Sequence, residues 1–316
     1  MSSFPDLSVS IAGVRFANPV IAASGTFGYG TEYSKIIDVA ALGGICSKGL
    51  TLDPKPGNTG LRLWETPAGL INSIGLENPG IRHFIEHELP VMLRLGPPVL
   101  ANLSGSTMES YVEGARLLDA TAVPMIELNI SCPNVKAGGM AWGLDCDAAA
   151  AITTAVRQAT SKPLVVKLSP NAPQLAAVAR SVVAAGADAL SLVNTFQAFA
   201  VDIEKGRPVF DNVTAGLAGP AIRPIALRML RDIMLGVPEC ALSRSAGRFV
   251  PVIGLGGIAT WQDAVEFIMT GASAFQVGTA TFADPNAMRD IAAGLSSFMA
   301  RKGFKDLEAM RGCALV

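Results

Sequence analysis

Residues 125–134 read MIELNISCPN, an apolar run that ends in an asparagine, a cysteine and a second asparagine. The run over 125–130 is short enough for a buried strand, and a glycine-rich segment at 137–139 follows it. Cys132 is therefore expected at the C-terminal end of a strand. Free cysteines are most often small buried hydrophobes, so the thiol becomes a candidate catalytic group only if other strands end in matching chemistry.

Short apolar runs of this kind recur along the whole chain, and most are followed by a plausible helix. The runs cover residues 20–23, 43–47, 99–101, 125–130, 164–168, 189–193, 252–255 and 274–277. Helix start signals predict helices over 146–159, 173–186, 221–235 and 261–269, and a last long helix after 284–285. Residues 7–15 read as a hairpin that turns at Ala12-Gly13 and covers the barrel bottom. Eight strand–helix units predict an α/β fold, a TIM (β/α)8 barrel.

Size and composition agree with one barrel domain spanning residues 1–316. By length alone the chain could hold two domains, but no linker, repeat or low-complexity segment divides it. Half of the residues are apolar and 16% are charged, which suits a parallel sheet buried on both faces.

Charge and hydropathy narrow the class of partner. The net charge is −1 without a run of Lys or Arg, which argues against nucleic acid or an anionic membrane surface and favours a small molecule. Mean hydropathy is +0.40, yet apolar stretches such as 175–193 are interrupted by Arg180 and Asp188, so no spanning helix is predicted. Residues 1–10 lack a signal pattern, and we expect a cytoplasmic protein.

No metal site is predicted. The cysteines are far apart in sequence and form no C-x-x-C pair, which argues against a zinc or iron–sulfur site built by this chain alone. His83 and His87 are spaced i, i+4 in a helix-like run over 81–89, but without a third ligand they favour an exposed helix face.

Three connections after predicted strands are long: residues 49–80, 131–144 and 194–219. We interpret all three as loops at the C-terminal face, where barrel enzymes build their active sites. The residues that follow the strands should meet there. They are Ser24, Lys48, Asn102, Asn129 with Cys132, Lys167, Asn194-Thr195, Gly256-Gly257 and Gly278-Thr279.

Two lysines and two pairs of strand-end residues predict an anionic ligand. Lys48 and Lys167 each end an apolar run, and an ammonium there needs an anionic partner, which a bound anion would supply. Residues 254–259, GLGGIA, formally fit a Rossmann dinucleotide fingerprint. The match lies at the seventh strand rather than the first, and Gly278-Thr279 ends the next one. A barrel phosphate site for one phosphate therefore fits better.

These motifs together resemble the flavin-dependent dihydroorotate dehydrogenases over nearly the whole chain. Residues 72–80, NSIGLENPG, resemble that family's substrate loop, residues 129–134 its catalytic segment, and residues 193–195 its second substrate-binding strand end. Cys132 occupies the position of the base, which is cysteine in the soluble class (class 1) and serine in the membrane-associated class. Residues 65–69, 200–203 and 212–220 resemble the NAD-linked branch (class 1B) rather than the fumarate-linked one.

The resemblance implies a reaction, cofactors and partners. The reaction is oxidation of (S)-dihydroorotate to orotate in UMP biosynthesis, with Cys132 as general base and FMN as hydride acceptor. Electrons would pass to NAD through a partner subunit that carries FAD and a [2Fe-2S] cluster, on a homodimer core of a heterotetramer. The implied FMN contacts are Ser24, Lys48, Gly49, Asn102, Asn129, Lys167, Val193, Gly219, Gly256, Gly257, Gly278 and Thr279. The implied orotate contacts are Lys48, Asn72, Ser73, Ile74, Gly75, Leu76, Asn129, Asn194 and Thr195.

Other functions remain open at this point. A fumarate-linked dihydroorotate dehydrogenase, or another FMN-dependent pyrimidine oxidoreductase, would use similar residues. A phosphosugar aldolase on the same barrel would use Lys167 as a Schiff-base amine and Gly256-Gly257 for the substrate phosphate. A non-catalytic binding module is disfavoured, since it would leave two lysines at strand ends without a charged ligand.

Overall fold

A closed barrel of eight parallel strands forms the centre of the computed structural model, which describes residues 5–131, 142–242 and 247–315. Neighbouring strands in the barrel are also neighbours in sequence, and the last pairs with the first. We number the strands first to eighth: Val20–Ala22, Gly44–Cys46, Val99–Leu103, Met125–Asn129, Leu164–Lys167, Ala189–Leu192, Val252–Leu255 and Ala274–Val277. The predicted barrel and its eight strands are confirmed, with ends that differ by at most two residues. That residues 1–316 form one domain stays a prediction.

Helices surround the barrel and begin close to the predicted signals. Asp145 caps its helix by accepting a hydrogen bond from the N–H of Ala148 (2.9 Å), and Thr260 and Asp263 form a capping box. None of the helices in the described ranges is long and apolar enough to cross a membrane. The longer helices are Leu89–Arg94, Met108–Asp119, Cys146–Ala159, Leu175–Ala184, Arg223–Gly236, Trp261–Met269 and Ala287–Lys302. Shorter α-helical turns are Ile81–His83, Ala280–Ala283 and Leu307–Met310, beside a π-helical turn at Phe84–Glu88 and 3-10 turns at Tyr33–Lys35, Val39–Ala41, Pro220–Ile222 and Pro238–Cys240.

A hairpin closes the N-terminal end of the barrel, as predicted. Strands Val9–Ile11 and Val14–Phe16 pair through a turn in which Ala12 and Gly13 both have positive φ (47° and 85°). Ile11 and Phe16 are fully buried in one apolar cluster with one residue from each of the eight barrel strands. The opposite, C-terminal end is therefore the one open to ligands.

A four-stranded antiparallel sheet lies over that open end, where the sequence predicted only loops. Leu63–Thr66 pairs with Gly69–Asn72, which pairs with Thr214–Ala218, which pairs with Phe196–Phe199. The prediction of loops over 49–80 and 194–219 was therefore wrong in these parts. A two-residue ladder, Val201–Asp202 with Arg207–Pro208, extends the second segment.

Candidate active site

Two adjoining pockets open between the C-terminal ends of the strands and the antiparallel sheet. The outer pocket has about 1140 Å³ of empty space, part of it open to solvent, and contains Lys48 and Asn72 in its wall. The glycine pocket, about 630 Å³, contains Gly256, Gly257 and Gly278. Both are lined by Ser24, Asn194, Thr195 and Thr279, so together they can hold one long ligand.

The outer pocket brings together nearly all of the predicted substrate residues. Its lining includes Lys48, Asn72, Ile74, Gly75, Leu76, Asn129, Asn194 and Thr195, with Gly49 and Asn102 beside them. Ser73 does not line it. The Ser73 N–H donates to the Arg62 carbonyl (2.8 Å), and its hydroxyl accepts a hydrogen bond from Asn58 Nδ2 (3.0 Å). Ser73 instead binds the loop over residues 72–80 to Asn58 and Arg62 of the preceding segment.

The glycine pocket has the form of an anion cradle. Gly257 has φ +80°, and a Cβ there would lie 2.7 Å from Arg223 Cβ. Gly256 has φ +123°, and its Cβ would lie 2.9 Å from Ala226 Cβ. Within the described residues, nothing accepts a hydrogen bond from the N–H groups of Gly256, Gly257, Gly278 or Thr279. These free donors, and the unpaired buried Oε1 of Gln276, fit a phosphate-bearing ligand with further polar groups.

Lys167 lies at the base of the glycine pocket and already has an anionic partner. Its Nζ is 3.6 Å from Glu127 Oε2 and donates a hydrogen bond to Ser24 Oγ (3.3 Å). The exposed fractions of the two charged side chains are 4% for Lys167 and 0% for Glu127. The prediction that a bound anion balances Lys167 was therefore wrong, since the chain itself supplies the carboxylate.

Glu127 is a site residue that sequence reasoning missed. Its Oε2 accepts hydrogen bonds from Asn102 Nδ2 (2.6 Å) and Cys46 Sγ (3.2 Å), and its Oε1 accepts from Ser191 Oγ (2.8 Å) and Gln276 Nε2 (2.7 Å). Burial alone would raise the pKa of this carboxyl, but the Lys167 ammonium and the donated hydrogen bonds outweigh it and hold the pKa below its ordinary value. Burial and the adjacent carboxylate raise the pKa of the Cys46 thiol, which stays protonated as a donor.

A directed chain of hydrogen bonds connects Glu127 to the outer pocket. Asn194 Nδ2 donates to Ser131 Oγ (2.9 Å), and Ser131 Oγ donates to Asn129 Oδ1 (2.9 Å). Asn129 Nδ2 then donates to Asn102 Oδ1 (3.4 Å), whose Nδ2 donates to Glu127. Three asparagines of the pocket wall thereby share one donor-to-acceptor direction.

Lys48 differs from Lys167 in its electrostatic surroundings. It is half-buried in the wall of the outer pocket, and no carboxylate in the described part of the chain lies within ion-pair distance of its ammonium. An anionic ligand is thus the available counter-ion for Lys48.

Cys132, the predicted base, and residues 133–141 lie outside the described residues. The last described residue before them is Ser131, which is fully buried between Asn129 and Asn194. The chain therefore leaves the fourth strand beside the wall of the outer pocket.

The two histidines lie away from the pockets. The rings of His83 and His87 are 4.4 Å apart, and the side chains are 47% and 59% exposed, as the sequence predicted for an outer helix face. Among the described residues, no group of three His, Cys, Asp or Glu is arranged to hold a metal ion.

Comparison with known proteins gives matches over nearly the full length. A family described as dihydroorotate dehydrogenase matches residues 6–299. A protein of Petrotoga mobilis is 50% identical over 307 residues, which are 97% of this chain and 99% of the relative. Proteins of Geotalea daltonii and Geobacter sulfurreducens are each 48% identical over 309 residues, 98% of both chains. All three relatives are named dihydroorotate dehydrogenase B (NAD(+)), catalytic subunit.

Proposed function

The chain belongs to the dihydroorotate dehydrogenase family, and on that premise we propose that it oxidises (S)-dihydroorotate to orotate in de novo pyrimidine biosynthesis. One observation carries the proposal: Lys48, without a counter-ion in the described chain, faces an asparagine-lined pocket that continues into a glycine cradle with free N–H groups. This arrangement suits a carboxylated pyrimidine beside a phosphate-bearing cofactor.

We propose that the cofactor is FMN. When bound, FMN supplies the acceptor for the hydride that leaves C6 of dihydroorotate. The N–H groups of Gly256, Gly257, Gly278 and Thr279 would hold its phosphate. Lys167 lines the glycine pocket, and we propose that its ammonium stabilises negative charge on the ring system. Ser24, Lys48, Gly49, Asn102, Asn129, Val193 and Gly219 complete the proposed set of contacts.

The outer pocket would bind dihydroorotate through charge and paired amide contacts. Lys48 and the N–H groups of the 74–76 segment would hold the carboxylate; Ser73 supports this segment, because its own N–H is committed to Arg62. The carboxamides of Asn72, Asn129 and Asn194 already make hydrogen bonds within the chain. The N–H groups left on Asn72 and Asn129 and the acceptor capacity left on Asn194 Oδ1 would match C=O and N–H groups of the pyrimidine ring. Thr195 borders the same space.

Cys132 is the proposed general base, which removes the proton from C5 as the hydride leaves C6. Support comes from the residue before it, since Ser131 is bonded to two asparagines of the pocket wall. We propose that its thiolate acts on a substrate held beside those asparagines.

The proposed route for electrons goes to NAD⁺ through a second subunit. The relatives' names contain both NAD(+) and catalytic subunit, which supports a separate electron-transfer subunit. We propose that this partner carries FAD and a [2Fe-2S] cluster and binds a homodimeric core of this chain. Co-purification would test this. We expect dihydroorotate-dependent NAD⁺ reduction only in the presence of the partner, whereas fumarate-dependent turnover by this chain alone would support the fumarate-linked alternative.

The function itself is tested with the purified chain. We expect a yellow protein whose flavin absorbance is bleached anaerobically by dihydroorotate and perturbed by orotate. Bleaching by a different dihydropyrimidine instead would identify another pyrimidine oxidoreductase. A colourless protein that is trapped on Lys167 by borohydride with a phosphosugar would favour the aldolase, although Lys167 Nζ is already engaged in a buried ion pair with Glu127.

A further inference from the structure

Glu127 is contacted from five of the eight barrel strands, yet no step of the proposed reaction uses it. The contacting residues are Cys46, Asn102, Lys167, Ser191 and Gln276, on the second, third, fifth, sixth and eighth strands. A fully buried carboxylate costs several kcal/mol in desolvation unless its partners are excellent. Such a concentration of donors below a ligand pocket points to a role in arranging the pocket.

The first part of that role concerns direction. An ionised carboxylate accepts hydrogen bonds and donates none, so Asn102 must turn its Nδ2 toward Glu127. The Asn102 Oδ1 then faces the Asn129 Nδ2, and the Asn129 Oδ1 is left for Ser131. The acceptor at the barrel centre therefore decides which end of the Asn102 amide faces Asn129, whose own Oδ1 accepts from the Ser131 N–H (3.2 Å).

The second part concerns charge. Lys167 Nζ, which lines the glycine pocket, is 3.6 Å from Glu127 Oε2. A cofactor in that pocket would experience a compensated ammonium rather than a full positive charge. In such dry surroundings, loss of the carboxylate would change the field at the cofactor considerably.

We propose that Glu127 is a positioning residue: its carboxylate holds the Lys167 ammonium below the cofactor and fixes the direction of Asn102, so that Asn102 Oδ1 faces Asn129 Nδ2 in the pocket wall. The inference rests on the proposed function, because it takes FMN as the ligand whose phosphate occupies the glycine pocket and orotate as the ligand that Lys48 holds in the outer one.

The effect of Glu127 on the charge near the cofactor is tested by the midpoint potential of bound FMN, a measurement that needs no substrate. Glu127→Gln leaves Lys167 uncompensated, so reduced FMN should gain at least tenfold in binding over oxidised FMN, about +30 mV for a two-electron couple. Lys167→Met should shift the potential the opposite way, and the double variant should fall between the two. An unchanged potential in Glu127→Gln, or a shift in the direction of Lys167→Met, would overturn the proposal.

The effect of Glu127 on the amide directions in the pocket wall is tested by the dissociation constant of orotate, measured from the flavin difference spectrum. We expect Glu127→Gln to weaken orotate at least tenfold, because a carboxamide can donate as well as accept. Ile152→Val, in a buried position of the helix Cys146–Ala159, is the control for lost stability and should leave both potential and affinity unchanged. If Glu127→Gln binds orotate within twofold of wild type, Glu127 does not set the amide directions in the pocket.

Two further measurements distinguish a failure of the Glu127 proposal from a failure of the proposed function. Glu127→Asp keeps the charge and should retain the wild-type potential; if Glu127→Gln does not fold, a shift in Glu127→Asp as large as that in Lys167→Met would contradict the proposal. A wild-type protein that binds FMN but not orotate would contradict the proposed function, while the potentials would still decide the role of Glu127.

Discussion

Lys167 and Glu127 form an ion pair inside the barrel, with 3.6 Å between Nζ and Oε2 and almost no solvent exposure of either side chain. Removing one partner of a buried pair leaves an uncompensated charge, which typically costs 3–5 kcal/mol. The pair therefore connects the stability of the barrel to the electrostatics of the pocket above it.

The first prediction concerns the stability of the folded protein at low pH. The pKa of Glu127 lies below its ordinary value of 4.5, so its ionisation stabilises the folded state. That stabilisation is complete above the unfolded-state pKa and is lost as the pH falls through the folded-state pKa. Urea unfolding of wild type and Glu127→Gln should thus give the largest difference in unfolding free energy at pH 7, and a smaller one below about pH 4.5. A difference that stays constant down to pH 3.5 would contradict this assignment.

Lys48→Met should weaken substrate binding. The ammonium has no carboxylate partner in the described residues, so its removal takes away one charged contact to the ligand and leaves little else unpaired. A hydrogen bond to a charged group contributes roughly 1.5–3 kcal/mol, which corresponds to about a 10- to 150-fold loss in kcat/KM. Lys55→Met, in the same long connection but outside both pockets, is the matched control. Equal effects of the two changes would remove Lys48 from the site.

Gly257→Ala should reduce FMN affinity by tenfold or more. The added Cβ would lie 2.7 Å from Arg223 Cβ and 2.9 Å from the Gly219 carbonyl oxygen, so the cradle must shift. Gly206→Ala is the control, since Gly206 also has positive φ (+60°) but nothing within 4 Å of a new Cβ. Both variants should lose about 1–2 kcal/mol from backbone strain, and only Gly257→Ala should show weaker quenching of FMN fluorescence. Equal FMN affinity in the two variants would argue against the cradle.

Cys132→Ala should retain FMN while dihydroorotate oxidation falls by roughly 2 to 4 orders of magnitude, the usual effect of losing a general base. Stopped-flow bleaching of the flavin separates this step from product release. The exposed Cys313 provides the control variant Cys313→Ala, which should bleach at the wild-type rate. Normal bleaching in Cys132→Ala would exclude the thiol as the base.

The barrel was predictable because each strand is an apolar run closed by a polar or glycine residue, a pattern set by local sequence. The same rule gave the pocket lining, since strand ends of a barrel must converge. The sheet over the mouth was not predictable in this way. Leu63–Thr66 is largely exposed and pairs through Gly69–Asn72 with Thr214–Ala218, far away in sequence, so its pattern resembles a loop.

Glu127 was missed for a related reason. Its partners come from five strands, and no spacing in the sequence connects them. The sequence did carry one signal for Glu127. It lies two residues before Asn129 in a fully buried strand, and residues two apart in a strand face the same side, so both side chains face the barrel interior. A carboxylate in the barrel interior requires a buried cation, and the sequence predicted Lys167 at the end of the neighbouring fifth strand.

The antiparallel sheet over the mouth draws one strand pair from the segment after the second barrel strand and another from the segment after the sixth. Grafting either segment alone from a relative would replace one side of the ladder between Asn72 and Gly216 and leave the other side unmatched in its side chains. Chimaeras that exchange substrate preference must therefore transplant both segments together, as a single cassette.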